Sequence, residues 1–83
     1  MTTIQIACSD EILISLKEDA DAFAIDLRMS AAVKFYELGK LSSGRAAELA
    51  GIPRVIFLKR LSEYGVSALS ATRRELTEDM HNA

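Results

Sequence analysis

The chain reads as a mainly α protein: a short N-terminal β-strand, a long helix, and a C-terminal helix-turn-helix. Three observations carry that reading. Residues 19–38 run without glycine or proline and place apolar residues at helical spacing. Ser42, Gly51 and Pro53 then punctuate the chain as the cap of one short helix, the turn after it and the start of another. Thr2 to Cys8 alternates with period two and is rich in β-branched residues. The 83 residues are room for one domain, expected over residues 1–69, with a polar tail over 70–83.

The strand comes first. Thr2, Ile4, Ile6 and Cys8 point one way; Thr3, Gln5 and Ala7 point the other. One strand cannot satisfy its own backbone groups. Its partner is either a second chain or Val66-Ser67-Ala68-Leu69, the other stretch with strand character. Cys8 lies on the apolar side with no histidine beside it, which predicts a small buried hydrophobe rather than a nucleophile.

Ser9 or Asp10 can cap a short helix over Asp10–Leu16, with Ile12, Leu13 and Leu16 at helical spacing and acidic residues in the first turn. The long helix, Asp19 to Leu38, ends at Gly39. It carries two apolar stripes. Ala20, Phe23, Ala24, Leu27, Ala31, Phe35 and Leu38 form one, which serves the domain's own core. Ile25, Met29, Ala32, Val33 and Tyr36 form a second, read as a surface buried against another molecule. The alternative is a helix central to the monomer. A chain this short buries only roughly 60% of its unfolded surface. Yet 49% of its residues are hydrophobic. Together these favour a dimer, with Ile4, Ile6, Ile25, Met29, Val33 and Tyr36 as the dimer or partner interface.

Residues 42–64 carry the motif. Ser42 caps Ser43–Ala50, and Leu41 before it can staple against Ala46. Ala47 is small where two helices cross, Gly51 tolerates positive φ, and Ile52 plugs the angle. Pro53 starts a second helix, which runs to about Tyr64 and ends at Gly65. Phe57, Leu58 and Leu61 seat it on Ala46, Leu49 and Ala50. In DNA-binding versions the start of the second helix enters the major groove. Pro53, Arg54, Val55 and Lys59 stand there, and Arg45 and Lys40 sit where they can grip phosphates. The plainer reading is a helical hairpin with solvated charges. A rival geometry pairs the N-terminal strands of two chains in the major groove, with Thr3 and Gln5 facing bases. That strand lacks the basic residues phosphate attraction needs.

Charge keeps nucleic acid open as a partner. The net charge is −2. Residues 43–74, however, carry six basic residues against two acidic ones, between acidic ends. Catalysis, metal binding and cofactors find no support. Cys8 and His81 are single, and no glycine-rich phosphate loop exists. No stretch reaches the roughly 18 apolar residues of a membrane span, and Met1 to Ile6 is not a signal peptide. The expected location is a reducing cytoplasm. The tail is polar apart from Leu76 and Met80, four residues apart, which are a candidate partner-binding edge.

The run Glu37-Leu38-Gly39-Lys40-Leu41-Ser42, followed by Gly44-Arg45-Ala46-Ala47-Glu48-Leu49-Ala50-Gly51-Ile52 and Phe57-Leu58, resembles a known group. It is similar to a small uncharacterised prokaryotic protein family regarded as helix-turn-helix antitoxins, often encoded beside PIN-domain ribonuclease toxins. The resemblance covers most of residues 3–69 and is densest from Leu38 to Leu61. It implies an antitoxin that binds and blocks its cognate toxin and represses its own operon; with the dimer expected above, the reading is a dimeric autorepressor of a type II toxin-antitoxin system. Members often carry acidic or aromatic residues at the start of the second helix. Arg54, Val55 and Lys59-Arg60 depart from that pattern, in the direction of DNA contact. A transcription regulator without a toxin, and an interaction module that never touches DNA, are the alternatives.

Overall fold

Backbone punctuation sets the element boundaries. The computed structural model describes residues 1–67. Helix α1 spans Asp10–Leu16, with Asp10 and Glu11 in its electropositive first turn. It stops where Lys17 turns left-handed at φ 58°. Helix α2 spans Ala20–Glu37; the Asp19 carboxylate accepts from the Ala22 N–H at 2.8 Å and caps it. Gly39, at φ 76°, closes its far end, donating its N–H to the Tyr36 carbonyl. Helix α3 spans Ser43–Ala50, capped by the Ser42 hydroxyl on the Arg45 N–H at 3.2 Å. Gly51 turns the chain at φ 76°, and α4 spans Arg54–Arg60 with Pro53 just ahead of it. The expected run of this helix to Tyr64 is divided in the structure. Beyond Arg60 the backbone tightens into a 3₁₀ turn, Leu61–Tyr64, before Gly65 ends it at φ 75°.

The core is small and local. Met29, Ala32, Val33 and Tyr36 of α2 face Ala46, Ala47 and Ala50 of α3, with Phe57 and Leu61 closing the far side. Leu41, Ile52, Leu58, Tyr64 and Val66 pack around this cluster half-buried. Alanines lining α3 let the helices approach closely, and Tyr36 and Phe57 fill the remaining space edge to face, with ring centroids 5.7 Å apart. Ala47, expected at the helix crossing, is buried, and Ile52, expected in the angle, packs half-buried against the core.

Two expectations are corrected. Among the described residues there is no β-strand: residues 1–9 are exposed and lie outside any helix, and no backbone hydrogen bond joins residues 1–8 to another segment. Of the expected intrachain partner segment, Val66 packs on the core, and Ala68 and Leu69 lie outside the described residues. Cys8 accordingly is exposed rather than buried. The second correction concerns the stripes of α2. Met29, Val33 and Tyr36, expected at an interface, are buried in the chain's own core. Phe35 and Leu38, expected inside, are exposed. Both stripes are apolar, and the docking of α3 and α4 decides which one is covered. The tail 70–83, with Leu76 and Met80, lies outside the described residues.

Gly51 and Gly44 test this backbone account in opposite directions. A Cβ on Gly51 would sit in left-handed space and 3.0 Å from the Arg28 guanidinium, so Gly51→Ala should cost about 1–3 kcal/mol. Gly44 is helical and meets nothing closer than 4.0 Å, so Gly44→Ala should stabilise by about 0.5 kcal/mol. Urea denaturation of the two variants reads both signs.

Candidate interaction surface

The second short helix offers an outward face that is more apolar than basic. Phe57 and Leu61 anchor the buried side of this segment, so helical geometry turns Val55, Ile56 and Lys59 outward. Val55 is 59% exposed and Ile56 42% exposed. Pro53 is exposed at the mouth of the turn. Arg54, the residue expected to meet DNA first, bends back: its Nε donates to the Ser43 hydroxyl at 2.6 Å. Ser43 is itself buried, so this bond ties the start of α4 to the start of α3. Arg45 is exposed and pairs with Glu48 at 2.9 Å. Arg60 pairs with Glu63 at 3.2 Å. Both are exposed i,i+3 pairs worth a few tenths of a kcal/mol, about what a phosphate contact could displace. Lys59 makes no ion pair or hydrogen bond among the described residues. It is the basic residue of this face most ready to meet an anion.

A contact that the sequence did not reveal organises the turn. Arg28 of α2 donates its Nε to the Leu49 carbonyl at 2.7 Å, placing a cation at the electronegative end of α3. Its guanidinium covers Gly51. The two partners lie 21 residues apart, so no local pattern announces the bond; the glycine is the only local sign of it.

The residues expected at a partner interface divide into two groups. Ile4, Ile6 and Ile25 are exposed and unpartnered among the described residues, whereas Met29, Val33 and Tyr36 are internal. Ile12, Ile14 and Leu16 of α1, and Phe35 and Leu38 at the end of α2, join the exposed apolar surface. Between α1, α2 and Tyr64 lies a groove of about 290 Å³, lined by Leu16, Phe23 and Leu27 with Glu18, Asp26 and Ser30. The Glu18 carboxyl is held above its ordinary pKa, chiefly by a side-chain hydrogen bond to Asp26, with burial and the charges of Asp26 and Asp19 adding to it. Among the described residues no cluster of three histidine, cysteine or acidic side chains could hold a metal ion. No helix there is long and apolar enough to cross a membrane.

This is a small helical domain built on a tightly turned helix pair, with an apolar surface left open on its N-terminal side. The chain belongs to the uncharacterised protein family UPF0175, whose family model matches residues 1–83. Comparison with curated proteins and with solved structures finds no match.

The carboxyl pair predicts a pH effect of defined sign. A raised acid pKa gives stability that is full below the ordinary value of 4.5 and is lost as pH rises through the raised value. Glu18→Gln keeps a donor toward Asp26 without the charge. It should melt higher than the wild-type chain at pH 7, with the gap closing by pH 4. Thermal denaturation across that range checks it; a gap independent of pH contradicts the raised Glu18 pKa.

Proposed function

We propose that this chain is a helix-turn-helix antitoxin that neutralises a cognate toxin protein, of the PIN-domain ribonuclease class, and binds operator DNA as a dimeric autorepressor. The observation that carries this reading is the α3–α4 pair. Gly51 is left-handed, Ala47 is buried and Ile52 packs half-buried on the core, which supports a unit of the kind that presents its second helix to the major groove. Lys59 and Arg45 supply phosphate contacts on its exposed side. The exposed apolar residues of α1 and of the ends of α2 supply surface for a protein partner.

A second reading is a protein-interaction module that makes no DNA contact. It is favoured by the outward Val55 and Ile56 and by the engagement of Arg54 with Ser43.

Salt separates the two. Four phosphate contacts per dimer, from Lys59 and Arg45 of each chain, would weaken operator binding on the order of 100-fold between 50 and 200 mM salt. Lys59→Ala should lower the magnitude of the log–log slope by about 2. Operator binding that is weak and flat with salt contradicts DNA recognition and leaves the interaction module. Co-purification with the neighbouring gene product tests the toxin; no complex at micromolar concentration contradicts that part.

A further inference from the structure

We infer that residues 2–8 form a dimerisation arm, and that two copies of this chain pair their arms as an antiparallel ribbon centred on Gln5. The inference deepens the dimeric part of the function proposed above and rests on it. In the single chain every residue of the arm is exposed and outside any helix, with Ile4 81% and Ile6 63% accessible. None of its backbone groups is paired among the described residues. Such an edge is a template for another strand, and soluble proteins ordinarily guard it with charges, proline or a bulge. Thr2 to Ser9 contains no charged residue, no proline and no glycine. The edge is left open.

The arm's own pattern identifies the occupant. An isologous two-fold contact requires a surface that complements itself. About Gln5 the arm is nearly palindromic in character: Ile4 mirrors Ile6, Thr3 mirrors Ala7, and Thr2 mirrors Cys8. Antiparallel pairing keeps the two faces separate only when the paired residue numbers sum to an even value. Sums of 8 or 12 leave one isoleucine of each arm against Thr2 or Cys8. A sum of 10 sets Ile4 against the partner's Ile6 twice over, with Gln5 facing Gln5 on the axis. Helix α1 follows directly, buries none of its residues, and leaves Ile12, Ile14 and Leu16 exposed. The isoleucine face of the ribbon has apolar surface to cover there, as the centre of an interface of roughly 800 Å² per partner requires.

The test uses the full chain, with neither toxin nor DNA. Sedimentation should give twice the 9.1 kDa chain mass. Ile4→Asp should give a monomer at the same concentration with unchanged helical circular dichroism, because the arm touches none of the core. In a Cys8→Ser background, Gln5→Cys should cross-link two chains under mild oxidation. Thr3→Cys should not, since its copy lies about 13 Å along the ribbon. A wild-type monomer overturns both the arm and the dimeric part of the proposed function. A dimer unaffected by Ile4→Asp overturns the arm alone. Cross-linking at Thr3 but not at Gln5 overturns the register.

Discussion

Tyr36 and Phe57 meet edge to face, at 78° between their planes, above a floor of alanines. Neither ring comes from an element that could bury it alone. Tyr36 stands near the end of α2, and Phe57 sits in the middle of a seven-residue helix. The contact exists because Ala46, Ala47 and Ala50 allow α3 to lie close to α2, and because Gly51 reverses the chain quickly enough to bring α4 back over the gap. The ring geometry adds only about 0.5–1.5 kcal/mol beyond the burial itself. Its larger consequence is to fix where α4 sits, and therefore which of its side chains face outward.

Arg28 and Arg54 follow from that placement. Each reaches across from one helix to another and donates to α3: Arg28 to the Leu49 carbonyl at its end, and Arg54 to the buried Ser43 hydroxyl at its start. The two ends of α3 are thus each held by an arginine. Arg54 accordingly has a structural partner where the sequence suggested a nucleic-acid contact. The outward face of α4 becomes Val55, Ile56 and Lys59. The core so formed spans Met29 to Leu61. Toward the N-terminus lie an exposed arm, an α1 with no buried residue, and a first half of α2 that keeps Ile25 exposed. Exposed apolar surface therefore gathers on the N-terminal elements, with a second patch at Val55 and Ile56 on α4.

What could be read from the sequence was what is decided locally. Ser42, Gly39, Gly51 and Gly65 mark helix ends because capping and left-handed φ depend on the residue itself and its near neighbours. The burial of Ala47 and the packing of Ile52 on the core agree with their small size and apolar character at those positions. The choice between the two stripes of α2 was not, since Phe35 and Tyr36 are both aromatic and only the docking of distant residues distinguishes them. The Arg28 and Arg54 bonds, spanning 21 and 11 residues, leave no periodic trace. The N-terminal alternation was visible as a pattern, but a strand is a relation between two segments. The described part of one chain contains no second segment for it.

The account divides the molecule into a self-sufficient core and an arm that is completed by another copy. Amide hydrogen exchange measured at two protein concentrations tests that division most directly. The account predicts slow exchange over residues 29–36 and in α3 at both concentrations. It also predicts alternating protection of amides 2–8 that is present at high concentration and lost on dilution. Arm amides that exchange freely at every concentration, while those of α2 and α3 stay protected, would contradict it.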